Sequence, residues 1–120
     1  MELSAKLQIK PGSKVATLAA PSDGPEIAGP SETVADPAAA DAVIAFVRHR
    51  SDLADAAAPA IDAARAGKLA WIAYPKAGQL GTDLNRDTLC ASLAGAGIQP
   101  VRQIAIDEVW SALRFRPANG

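Results

Sequence analysis

Cysteine is almost missing from this chain. The single thiol at Cys90 excludes an internal disulfide and leaves a thiolate zinc or iron–sulfur site without ligands. Histidine is equally scarce, and His49 alone excludes imidazole-rich sites. Neither sign of charge is in excess. With 12 Lys plus Arg against 13 Asp plus Glu there is no whole-molecule positive field to attract nucleic acid or an acidic membrane, so any anion site has to be local. Long apolar runs are also absent: "MELSAKLQIKPG" carries charges where a signal peptide needs an uninterrupted apolar core, and nothing later approaches the roughly 18 residues of a membrane span. These absences lead to the expectation of a cytoplasmic protein with no membrane and no nucleic-acid partner.

What is present fits one domain over residues 1–120, long enough for a single core. Alanine is abundant and aromatics are few, so small residues are expected where helices meet a sheet. Residues 21–41 contain Pro21, Pro25, Pro30 and Pro37 and read as a connection, with room for a short helix and a short edge strand near Thr33 to Ala35. Elsewhere, short continuous apolar runs alternate with helical periods. "KVATLAA" (14–20), "AVIAFV" (42–47), "LAWIAY" (69–74) and "VRQIAI" (101–106) are strand candidates, and this alternation is the pattern of a largely parallel sheet covered on both faces.

The helical segment "SDLADAAAPAIDAARAG" offers Ser51 or Asp52 as N-cap, puts Leu53, Ala57, Ile61 and Ala64 on one face, and stops at Gly67. Pro59 inside it predicts a bend or a division into two shorter pieces. "NRDTLCASLAGAG" places Leu89, Leu93 and Ala96 at helical spacing. "VWSALRFRP" reads as a last strand joined to the fourth by a turn at Asp107 and Glu108, which predicts an antiparallel hairpin.

Site-like chemistry concentrates in "AYPKAGQLGTDLNRDTL" (73–89). If 69–74 is an inner parallel strand, its loop emerges at the carboxyl edge, where open sheets bind ligands. Lys76 and Arg86 would then flank backbone amides from Gly78 through Gly81 and Thr82 to Asp83, near a helix N-terminus that favours anions. The same residues also read as a plain helix entry, with Thr82, Asp83 or Asn85 as the cap and Lys76 as a solvated charge. "VRHRSD" sets Arg48, His49 and Arg50 just after the second strand, either as a basic rim on the same edge or as partners of Asp52 and Asp55. Asp107, Glu108, Trp110 and Ser111 resemble a chemical cluster, but Ser111 has no histidine at a predictable distance. Trp71 and Trp110 read as core, and Cys90 as a buried thiol.

"KPG" with a strand ending in "AAP", then "DAVIAFVRHRSDL", "LAWIAYPKAGQLGTDLNRD" and "AIDEVWSALRFRP", together resemble the bacterial family called domain of unknown function 3052 over nearly the whole chain. "YPK" with "TDLNRD", and "IDEVWSALRFR", are the most specific pieces. The resemblance implies no assigned activity. The strand order and end hairpin are also similar to the second half of a class I methyltransferase, which implies a small, mostly parallel, Rossmann-like sheet with flanking helices and a C-terminal antiparallel hairpin. The first strand departs from that pattern: it ends in Ala19, Ala20 and Pro21 where a glycine-rich turn would meet the methyl donor, and Gly24 comes late. No cofactor is therefore expected. The resulting functional expectation is a non-catalytic module that binds a small anionic ligand or a protein partner. The alternative is a transferase-like enzyme with Lys76 and Asp83 as its polar groups.

Overall fold

The computed structural model describes residues 6–10, 12–18, 32–34, 36–76, 81–93 and 95–117. Its strands are β1 (Lys14–Leu18), β2 (Glu32–Thr33), β3 (Ala42–Phe46), β4 (Leu69–Pro75), β5 (Ile98–Ala105) and β6 (Trp110–Pro117), joined in one sheet in the order β2-β1-β3-β4-β6-β5. β3 is buried along its whole length and β4 at every residue but Leu69. That burial on both faces is why these two strands read as continuous apolar runs.

Helical structure is short. A 3-10 turn at Arg50–Asp52 leads into α1 (Leu53–Ala56), followed by α2 (Ala58–Arg65) and, after β4, α3 (Arg86–Ser92). The long helical period after residue 51 is thus divided, with Ala57 as the junction and Pro59 in the first turn of α2. There a missing N–H costs little, since the first turn has no intrahelical acceptor to offer it. α2 ends in a Schellman arrangement. Gly67 adopts φ +80, its N–H reaches Ala64 O at 3.0 Å, and Lys68 N–H reaches Ala63 O at 2.9 Å.

The helices pack on one face of the sheet. Leu53, Ala57, Ala60, Ala64, Leu89 and Leu93 meet Val43, Ala45, Ile72, Leu113 and Phe115 there. The other face is closed differently. Leu7 and Ile9, from the segment before β1, join Ile44, Phe46, Trp71, Ala112 and Trp110. Trp71 Nε1–H donates to Leu7 O at 2.9 Å, fixing that segment to the sheet.

This arrangement corrects the expectation of a mostly parallel, Rossmann-like and methyltransferase-like sheet. The sheet is mixed. β1 with β2, β1 with β3 and β3 with β4 are parallel, but β4 with β6 and β6 with β5 are antiparallel, and those two ladders are the longest. β2 is only two residues long, so five strands carry the sheet. Among the described residues the helices longer than one turn are α2 and α3, both on the same face, whereas a doubly wound fold needs helices on both. The physical reason is that an apolar run reports burial on two faces without reporting what covers each. Here one cover is the turn at Leu7 and Gln8 with Ile9, just ahead of β1. Ala19, Ala20, Pro21 and Gly24, the residues of the first-strand turn, lie outside the described residues. Among the described residues no helix is long and apolar enough to cross a membrane.

Candidate functional site

β3 and β4 run in parallel, so the loops that follow them leave the sheet at the same edge. Val47 N–H donates to Ala73 O at 2.8 Å, extending the pairing to the start of Arg48–His49–Arg50. The loop after β4 comes back to this point. Gly81, at φ +67, turns the chain, and Leu84, 2% exposed, anchors it in the core. Between them two side chains tie the loops together. The Thr82 hydroxyl donates to Arg48 O and accepts from Leu84 N–H at 3.0 Å, while Asp83 Oδ1 accepts from Arg50 N–H at 2.8 Å. Asp83 Oδ1 also lies 3.8 Å from His49 Nδ1.

Thr82 and Asp83 therefore join the basic rim of the preceding loop and do not cap α3. Asn85 is the cap, with Oδ1 accepting from Thr88 N–H at 2.8 Å. With that amide occupied and α3 only seven residues long, side-chain cations have to carry any anion affinity in this region. Lys76 lies toward the other side of β4. Its N–H donates to Val109 O at 2.7 Å, continuing the ladder past the Pro75–Trp110 pair toward β6. Arg86 is exposed at the start of α3, and its charge acts on Tyr74 and Cys90. Gly78 lies outside the described residues.

These placements separate two roles that the sequence leaves joined. Lys76→Ala is expected to leave stability within about 0.5 kcal/mol, because the contact it makes across to β6 is through its backbone. Asp83→Ala removes the acceptor of Arg50 N–H and is expected to cost about 1 kcal/mol. Urea denaturation of the two variants beside the parent measures both; an Asp83→Ala midpoint equal to the parent's would show that the tie contributes nothing.

Under α3, Tyr74 is 3% exposed and its hydroxyl accepts from Gln103 Nε2 at 3.2 Å. Burial pushes its pKa above the ordinary tyrosine value, with a further rise from Cys90 that Arg86 opposes. Burial likewise raises the Cys90 thiol, so it stays protonated and slow to react. The tyrosine shift has a sign that can be measured. The folded state holds the phenol proton more tightly than the unfolded chain, so this contribution to stability is complete below the ordinary tyrosine pKa and is lost as pH rises through the raised one. A Tyr74→Phe variant is expected to show a shallower loss of stability on the alkaline side, followed by circular dichroism in urea. Parallel curves would contradict it.

Two grooves open beside the loop junction. The larger, about 650 Å³, lies between α1–α2 and α3. Its floor is Leu53, Ile61, Leu93 and Ala96, and its rim is Arg50, Ser51, Asp83 and Ser92. The smaller, about 390 Å³, runs along α3 past Asp87, Thr88 and Ala91 and shares Arg50 and Ser92 with the larger one. Of the residues singled out in 73–89, Asp83 lines the larger groove and Lys76 and Arg86 stand outside both linings. Arg50 is a rim cation already visible in "VRHRSD". Ser92 carries no sequence signal that sets it apart from any exposed helical serine. Among the described residues no three of His, Cys, Asp and Glu come together as a metal-binding group. Compared with known proteins, the chain matches no family model and no curated protein.

Proposed function

We propose that this chain is a non-catalytic binding module that takes a small anion with an apolar portion in the groove between α2 and α3. One observation carries the reading: an apolar lining of Leu53, Ile61, Leu93 and Ala96 is shared with Arg50, whose backbone is tied in place by Asp83. The volume falls within the range of small-molecule sites, in which an apolar lining supplies affinity and a few placed polar groups set orientation. Arg50 suits a carboxylate or phosphate because its donors form a planar fork. Ser51 and Ser92 add hydroxyls on the same rim. The resemblance to the domain of unknown function 3052 family belongs to this reading as well, through "YPK", "TDLNRD" and "IDEVWSALRFR".

Thermal unfolding against a panel of medium-chain alkyl carboxylates, alkyl phosphates, inorganic phosphate and alkylamines tests it. A ligand at 100 times its dissociation constant adds about 2.7 kcal/mol of stability. The alkyl anions are expected to raise the melting temperature, and Arg50→Gln to abolish the rise. Equal stabilisation by alkylamines, or none by any alkyl anion, would reject the proposal.

A further inference from the structure

The face of the sheet away from the helices carries a row of cations that the overall charge balance conceals. Arg114 and Arg116 lie two residues apart on β6 and so share a face. It is the face of Ala112, part of the core that Leu7 and Ile9 cover. The register then places Arg102 of β5 directly opposite Arg114. Lys6 extends the row at the far end of the hairpin, donating from Nζ to Ala105 O at 3.1 Å. From Gln99, opposite Arg116, to Ala105 the row is about 20 Å long at ~3.3 Å per residue.

Like charges directly across a ladder repel. Among the described residues the ion pairs are His49–Asp83 and Arg65–Asp62, so none of the three arginines has a carboxylate within ion-pair distance. Arg114 is only partly solvated: it donates to Gln8 Oε1 at 2.6 Å, and its Nε is buried without a hydrogen-bond partner. The acidic residues Asp55, Asp62 and Asp87 belong to helices on the opposite face.

Four observations select the occupant. The row is too long to converge on one small anion. All five aromatic rings of the chain are buried, which leaves no platform for the base stacking that single-stranded nucleic acid uses. Val101, on the bulge between Pro100 and Arg102, is the exposed large hydrophobic of the described residues, far too little apolar surface to enter a membrane interface. Pro100 and that bulge also blunt β5 as a template for strand addition, so contact falls to side chains. We propose that this face of the β5–β6 hairpin binds an extended acidic segment of a partner protein, its carboxylates pairing with Arg102, Arg114 and Arg116.

Fluorescence anisotropy of a dye-labelled decapeptide of alternating glutamate and serine, titrated with the full chain at low salt, tests this directly. The parent is expected to bind it. The double variant Arg102→Gln/Arg116→Gln, changed at two exposed positions, is expected to bind about tenfold more weakly while melting at the parent temperature. A thymidine decamer of similar length is expected to bind more weakly than the peptide. No binding of the peptide by the parent, an unchanged affinity in the double variant, or equal or tighter binding of the oligonucleotide would overturn the proposal.

Discussion

Replacing Trp110 by alanine is expected to cost about 3 to 5 kcal/mol, the range for truncating a large buried ring. Trp110 is 4% exposed and meets Phe46 edge-on, with ring centroids 5.0 Å apart and an interplanar angle of 79°. An aromatic pair in that geometry contributes about 0.5 to 1.5 kcal/mol beyond the area it buries. The turn before it does not depend on the ring. Asp107 Oδ1 accepts from Trp110 N–H at 2.7 Å and from Val109 N–H at 2.8 Å, and both bonds survive in the alanine variant. The loss therefore reports the cavity, and it corresponds to a fall in melting temperature of about 10 to 20 °C for a domain of this size. A variant that melts with the parent would show that the ring is not part of the core.

The second large effect is expected at Trp71, which is 0% exposed and also holds the segment that closes the face opposite α2 and α3. Trp71→Ala removes both functions and should again cost about 3 to 5 kcal/mol. Trp71→Phe separates them. It keeps most of the packing but leaves Leu7 O without the indole donor, a buried unpaired acceptor that costs about 1 to 3 kcal/mol. The phenylalanine variant should accordingly show faster amide exchange at residues 7–9 than in the helices, measured by mass spectrometry. Unchanged exchange there would mean that the segment is held by Leu7 and Ile9 packing alone.

The strands were legible because their signal is local. "AVIAF" and "LAWIAYP" are buried on both faces, and a run of apolar residues records that directly. Pro59 likewise announced the division of the helix, since its ring acts on its own turn. What failed was the identity of the covers. In "KLQIK" only Leu7 and Ile9 are apolar, too short a pattern to distinguish a sheet-covering segment from a polar lead-in, and Gln8 takes the left-handed φ of 64 between them. In the site, the loop was legible and its partners were not. Thr82, Asp83 and Asn85 are equivalent as candidate caps by composition, and only tertiary structure brings Arg48 and Arg50 to the first two and leaves the helix to the third. The arginine row depends on register. The bulge between Pro100 and Arg102 sets Arg102 against Arg114, and no periodicity in "QPVRQIA" reveals where a bulge falls.

The change of direction at β4 also bears on how the chain assembles. β5 and β6 close over the turn at 106–109, so their pairing needs only a short loop, whereas β3 and β4 pair across α1 and α2, and β1 reaches β3 across a connection of similar length. Contacts distant in sequence slow folding, while hairpins form within microseconds. Synthesis proceeds in the opposite order: the parallel half, with its long closures, leaves the ribosome before the hairpin that pairs fastest.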